Sequence, residues 1–257
     1  MEALILAAGE GSRLEVDVPK CLVDVGGQPL LNRQLDALEE VGADEITVVV
    51  GHEHEQVREV ADKRARMVVN ERYAQTNSLY SFWLARHRVP DELLLLNSDV
   101  LFPTALVHRL LTVRGSALAY DSSSGDDEEH MKVRLSWGRL RGMSKAMPQT
   151  DTDGENVGIL RLATSEAEAA FAAAEGLVRE GCVDDWVGAA ISEVARRHVI
   201  TCLDVADLPW VEIDFPEDLA LARDEVWPAI AALGTAAAGG AGLRSTGWQE
   251  TAREVAI

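Results

Sequence analysis

The chain has 257 residues, carries a formal net charge of -19 and holds three cysteines, Cys21, Cys182 and Cys202. Such an acidic balance argues against a nucleic-acid binder, whose footprint would be basic, and three scattered cysteines supply neither a disulfide framework nor a zinc site. No apolar stretch approaches the ~20 residues of a membrane span, so the expectation is a cytoplasmic protein with reduced thiols and no membrane partner.

In chain order, the apolar run 3–8 reads as a central strand of a parallel sheet, because it lacks the alternation of a half-exposed strand. Gly9 and Gly11 follow at once, and let the backbone turn tightly and present N–H groups to an anion. Ser12 belongs to the same loop, Arg13 adds a planar fork for phosphate oxygens, and Lys20 adds a movable point charge. A Walker A loop would close in Gly-Lys-Ser/Thr, and the dinucleotide fingerprint needs a third glycine where this chain has Leu14. Neither applies. Cys21 beside Lys20 is read as a small buried apolar side chain.

Further strands are expected at 45–50, 66–69, 92–96 and 116–120, alternating with helices at 29–41, 53–64, 78–86 and 104–111. That rhythm implies a Rossmann-like α/β fold, a mostly parallel sheet flanked by helices. The segments 131–137 and 140–144, parted by Gly138-Arg139, break the rhythm as a hairpin, expected to form a small lobe walling an acceptor. A strand from Gly154 through Leu162, helices at 165–179 and 185–197, strands at 200–204 and 210–213, and a helix opened by Pro216 complete the domain, 1–233. Residues 234–257 read as a flexible tail, within which 245–257 is long enough to form an amphipathic turn or two against the partner of a homodimer.

Strand ends are where ligands gather in open parallel sheets. Asp99 closes one apolar run and Asp214 another, and two carboxylates from separate strands, with phosphate oxygens and water, suit the octahedral demand of Mg²⁺. Thr76, Asn77, Ser78 and Ser81 supply short amide and hydroxyl groups able to read a pyrimidine base, and also make a good helix start. The spacing permits cytidine, uridine or thymidine alike. His52 and His54 lack distant partners for a metal, and the acidic run 126–129 reads as a solvated loop.

Eight ordered segments carry a resemblance: LILAAGEGSRL, PKCLVDVGGQPLL, NERYAQTNSLYSFWLA, LLLNSDV, EHMKV, GMSK, GENVGI and WVEIDFPEDLALA. Together they resemble the nucleotidyltransferases that activate sugar phosphates and related esters, and within them the branch of phosphocholine and phosphonate cytidylyltransferases. The resemblance implies a GT-A-like fold and Mg²⁺-dependent transfer of CMP from CTP to a small phosphonate or phosphate monoester, with release of pyrophosphate. It assigns the metal to Asp99 and Asp214, charge stabilisation to Lys20 and Arg13, and the incoming phosphate to Lys145. Leu6, Ala7, Ala8, Gly9, Gly11 and Ser12 would line the nucleotide site, with Ala7 and Gly9 leaving room for base and sugar.

For the acceptor, Tyr120, Asp121, Trp137, Asp185, Trp186 and Glu212 are aromatic or acidic wall residues of the kind a choline cage uses; an anionic phosphonate would instead want extra cations, which Lys132 and Arg134, two apart on a predicted strand, would point to one face, and Glu155 is a further acceptor candidate. The choline cage of the branch usually sets an aromatic residue before the acidic pair, where this chain has Gly181-Cys182-Val183 ahead of Asp184-Asp185. That departure favours a phosphonate acceptor. Phosphocholine, a sugar 1-phosphate with UTP or dTTP, and a catalytically silent nucleotide-binding relative are the alternatives; a silent relative would be expected to have lost Lys20 or one aspartate.

Overall fold

The computed structural model describes residues 1–86, 92–125 and 129–240. Residues 126–128 of the acidic run and the end of the expected tail, 241–257, lie outside the described residues.

The elements follow the expected rhythm. Strand β1 (Glu2–Ala7) runs into two short 3-10 turns and the small ladder of β2 (Asp24–Val25) with β3 (Gln28–Pro29). Then come α1 (Leu30–Glu40), β4 (Glu45–Val50), α2 (His54–Ala61), β5 (Arg66–Val69), α3 (Ser78–Leu84), β6 (Glu92–Asn97), β7 (Val100–Leu101) and α4 (Thr104–Thr112). The second half holds β8 (Ser116–Asp121), β9 (Lys132–Ser136), β10 (Arg139–Ser144), β11 (Gly154–Ala163), α5 (Thr164–Arg179), α6 (Gly188–Ala195), β12 (Ile200–Asp204), β13 (Val211–Glu212), α7 (Pro216–Leu221) and α8 (Trp227–Gly240).

Nine strands form one sheet in the order β5-β4-β1-β6-β11-β8-β12-β10-β9. The half β5-β4-β1-β6 is parallel throughout, as the βα rhythm requires. The other half is mixed. β11 lies antiparallel between β6 and β8, because it follows the β9–β10 hairpin instead of a crossover helix. The expected parallel pairing holds in the half β5-β4-β1-β6, and the antiparallel placing of β11 departs from it.

The apolar runs are buried on both faces. Along β1, Ala3, Ile5 and Ala7 enter one core cluster, with α1, α2 and α4, while Leu4 and Leu6 enter the other, with α3, α5 and α6. β6 repeats the division, Leu94 and Leu96 on one side and Leu93 and Leu95 on the other. A satellite cluster joins Leu14, Val23, Leu101, Ile213 and Leu219, which fixes the glycine loop region to the C-terminal segment.

α8 is helical through Gly240, where Ala236, Ala237 and Ala238 supply strong helix formers. One expectation is corrected here. The predicted helix 185–197 begins only at Gly188, because the preceding stretch turns to bond α3 instead. Among the described residues no helix is long and apolar enough to cross a membrane.

Candidate active site

The parallel strands end at a cavity of about 390 Å³. β1 delivers Leu6, Ala7 and Ala8 to it, and the chain then turns through Gly9 to Gly11, Ser12 and Arg13. Gly11 has φ +64, and a Cβ there would stand 2.8 Å from Lys20 Cβ, so the loop can lie on the Lys20 stem only because the position is glycine. Gly9 faces open space, with no atom within 4 Å of where its Cβ would be. Beneath the loop, Gly51 at the end of β4 lets Tyr73 and the Ala8 carbonyl approach; a Cβ would meet each at 2.5 Å.

β6 delivers Asn97, Ser98 and Asp99. Asp214 comes from the far end of the chain, carried by the two-residue ladder in which β13 pairs β7, Glu212 opposite Val100, extended by Ile213 N–H donating to Asp99 C=O at 2.9 Å. Lys20 Nζ donates to Asp99 Oδ2 at 2.9 Å and to Asp214 Oδ1. Arg13 donates to Asp214 Oδ2 at 2.8 Å and to Glu129 Oε2 at 2.8 Å, and Lys145 donates to the same Glu129 oxygen at 3.2 Å. Lys145 also lies over the Trp186 ring, 4.5 Å from its centroid. Three cations and their carboxylates thus form one chain of charge across the cavity mouth.

Burial disfavours the Lys20 ammonium, but Asp99 and Asp214 outweigh it and push its pKa up to about 12. Asp214 is held below the usual carboxylate range: burial raises it, and Lys20 and Arg13 more than reverse that. Glu212 goes the other way. Its burial, and then the charges of Asp99 and Asp214, raise it well above the ordinary value.

Oxygen atoms of Asp99, Glu212 and Asp214 lie within 4.8 Å of one another. Asp99 Oδ1 is buried with no hydrogen-bond partner among the described residues. An all-oxygen, carboxylate-rich set with one unsatisfied oxygen fits a hard divalent cation such as Mg²⁺.

Near the start of α3, Asn70 organises the hydroxyls. Its Nδ2 donates to Thr76 Oγ1 and Ser81 Oγ, both at 3.1 Å, while its Oδ1 accepts from Arg72 N–H. The Asn77 side chain accepts from Ser78 N–H at 2.7 Å at the start of α3. The segment before α6 is tied to this helix start: Asn77 N–H donates to Val183 C=O, Leu79 N–H to Asp185 C=O, and Val187 N–H to Ser78 Oγ.

Among the expected site residues, the cavity brings together Arg13, Lys20, Lys145, Asp99, Asp214 and Glu212 with the whole nucleotide set, Leu6 to Gly9, Gly11, Ser12, Thr76, Asn77, Ser78 and Ser81. Seven expected acceptor residues stand elsewhere. Lys132 and Glu155, opposite one another on β9 and β11, line a separate polar cavity of about 80 Å³. Strand alternation explains it: their neighbours Met131 and Asn156 are the ones that line the main cavity. Trp137 sits at the hairpin turn with φ +56 and is 95% exposed. Tyr120, Asp121, Arg134 and Asp185 do not line the cavity, whereas Trp186 does. Sequence reasoning passed over Asn70, Asn97, Met131, Met143, Asn156 and Gly158, although all lie inside the motif segments, and Glu129, read as part of a solvated run. Cys21 is fully buried beside the site, and burial pushes its thiol up to about 12, in keeping with an inert apolar role.

The profile of the MobA-like NTP transferase domain matches residues 3–246. This chain belongs to that family. The MobA-like chain is 31% identical over 251 residues to the CMP-5'-(3-aminopropyl)phosphonate synthase of Streptomyces rubellomurinus, covering 85% of itself and 37% of that protein. It is 29% identical over 228 residues to the bifunctional IPC transferase and DIPP synthase of Aquifex aeolicus, covering 86% of itself and 50% of that protein. It therefore spans half or less of these two relatives. Among solved structures, the CTP:phosphocholine cytidylyltransferase of Streptococcus pneumoniae superposes with a TM-score of 0.69 at 22% identity, covering 85% of this chain and 96% of that one. The inositol-1-phosphate CTP transferase of T. maritima gives 0.73 at 20% identity, with 95% and 98% covered. The MobA-like chain thus belongs to a nucleotidyltransferase family with cytidylyltransferase relatives, and it has their mixed α/β fold.

Proposed function

We propose that this nucleotidyltransferase moves CMP from CTP to a phosphonate or phosphate-monoester oxygen of a small acceptor and releases pyrophosphate. The observation that carries the reading is the pair Asp99 and Asp214, joined through Lys20 in a cavity that a glycine loop and Lys145 also line. Phosphate and phosphonate oxygens are already ionised near neutral pH, so the reaction needs no strong base. Its barrier is the approach of anions to one another.

The chain meets that barrier with charge. Arg13, Lys20 and the loop N–H groups face the triphosphate and stabilise the charge that grows as pyrophosphate leaves. Lys145 holds the incoming phosphorus group in line with the α-phosphorus. Asp99 and Asp214, with Glu212 beside them, would hold Mg²⁺, whose role when bound is to neutralise phosphate oxygens as a Lewis acid. Asn77, Ser78, Thr76 and Ser81 offer the polar groups that would read cytosine. Support for CTP comes from the relatives named above.

The test is pyrophosphate release from the purified chain with Mg²⁺, each of CTP, UTP, dTTP and ATP, and a panel of phosphonates, phosphate monoesters and sugar 1-phosphates. Release is expected with CTP and a phosphonate or phosphate monoester. Release with UTP or dTTP and a sugar 1-phosphate, and none with CTP, would reject the reading.

A further inference from the structure

The strands of the parallel half lie in the order β5-β4-β1-β6, with β11 beyond. Asp99 follows β6, the glycine loop follows β1, Gly51 follows β4, and Asn70 follows β5, where its N–H extends the ladder by donating to Val50 C=O at 2.7 Å. Asn70 and Ser81 both line the main cavity and are only 1% and 3% exposed. The orientation of the Asn70 amide is set by a partner that can only donate: Arg72 N–H meets Oδ1 at 2.9 Å, so Nδ2 is the group that faces Thr76 Oγ1 and Ser81 Oγ. Both hydroxyl oxygens therefore accept. Thr76 spends its own hydrogen on Arg72 C=O at 2.9 Å. Ser81 does not: among the described residues its hydroxyl meets no acceptor, which leaves one unspent donor, on Ser81, at the cavity wall.

Resting on the cytidylyl-transfer reading, we propose that Asn70 is a positioning residue that fixes Ser81 as a hydrogen-bond donor, and that this donor reads N3 of the cytosine ring. The strand order gives the base its place. With the metal carboxylate at the end of β6, the phosphates on the loop after β1, and Lys145 after β10 on the far side of β6, the nucleoside extends the other way, past Gly51 toward Asn70. N3 is the atom that separates the two pyrimidines, since it accepts in cytosine and carries a hydrogen in uracil, whereas O2 accepts in both. To accept from the N3–H of uracil, Ser81 would have to turn its own hydrogen aside, and Asn70 Nδ2 already holds one of its lone pairs, so that hydrogen would be buried without an acceptor. Thr76, its donor spent, serves by holding the Asn70 amide.

The test is kcat/KM, by pyrophosphate release with Mg²⁺ and the acceptor that the panel above selects, for CTP, UTP and 3-deaza-CTP, in which C–H replaces N3 and the other edge groups stay. The unaltered chain should prefer CTP to 3-deaza-CTP by about tenfold, and Ser81→Ala should erase that preference. Asn70→Asp exchanges the amide donor for an acceptor, takes the Ser81 hydrogen and turns a Ser81 lone pair to the cavity, so it should lower the ratio of CTP to UTP by about tenfold. A residue that only held the fold would depress every nucleotide alike and leave these ratios unmoved. 3-Deaza-CTP used as well as CTP by the unaltered chain, a preference that survives Ser81→Ala, or a CTP to UTP ratio unmoved in folded Asn70→Asp would overturn this inference and leave cytidylyl transfer standing. Ser81→Ala adds no charge to the core, so its arm decides even where Asn70→Asp does not fold. No pyrophosphate with CTP and any acceptor of the panel would overturn the transfer reading and this one with it.

Discussion

At the scale of single residues, the account assigns opposite ends of one reaction to groups that the structure holds in one chain of ion pairs. Asp99→Asn and Asp214→Asn keep side-chain volume and remove the charge that would hold the metal, so each should lower kcat by on the order of a hundredfold or more in a protein with unchanged circular dichroism. Near-normal Mg²⁺-dependent rates in either folded variant would remove that residue from the metal site. Lys20 touches both aspartates, and Lys20→Met should depress kcat more than CTP affinity, because the charge it meets grows in the transition state. Lys145→Met should chiefly raise the acceptor KM, with CTP binding in the absence of acceptor little altered; loss of CTP binding instead would reverse the two ends. These residues were legible because each sits in a local motif beside a glycine loop or at a strand end. Lys132 and Glu155 were legible as charged residues but not as to direction, since a single step along β9 or β11 turns a side chain from the main cavity to the small one. That step is fixed by the pairing of β9 with β11, which no local pattern contains.

At the scale of elements, α3 is the piece that joins the Asn70, Thr76 and Ser81 cluster to the segment before α6, through its N-terminal bonds to 183–187. Its own seat is apolar. Phe82 stacks on Phe171 of α5 with ring centroids 4.3 Å apart and planes 3° from parallel, both rings buried. Phe171→Ala should therefore cost about 3 kcal/mol or more in urea unfolding, and, by loosening α3, raise the KM for CTP in the folded fraction. A cost under about 1 kcal/mol would mean that α3 is positioned by something other than this stack. The parallel half of the sheet was readable because apolar runs alternate with amphipathic helices there. The hairpin was readable from its turn, where Trp137 and Gly138 both take positive φ, yet its part in the site was not: the end near Met143 and Lys145 meets the cavity, and the Trp137 end points into solvent.

At the scale of the whole molecule, the fold brings together residues as far apart as Lys20 and Asp214, with 194 positions between their numbers, through the short β7–β13 ladder and a satellite core under it. In a chain of net charge -19, Arg13, Lys20 and Lys145 are gathered at the ends of the strands, each paired with carboxylates. The insertion of β11 and the β10–β12 pairing, both non-local, are what bring Met143 and Asn156 to the cavity and were not written in any single segment. The central claim is that the cavity joins the α-phosphorus of CTP to a second phosphorus through one oxygen. Phosphorus-31 NMR of the chain incubated with CTP, Mg²⁺ and a small phosphonate tests it directly. The account predicts free pyrophosphate together with a coupled pair of new resonances, one from the CMP phosphorus and one from the phosphonate now bonded to it; CMP and pyrophosphate with the phosphonate resonance unchanged, or no reaction at all, would contradict it.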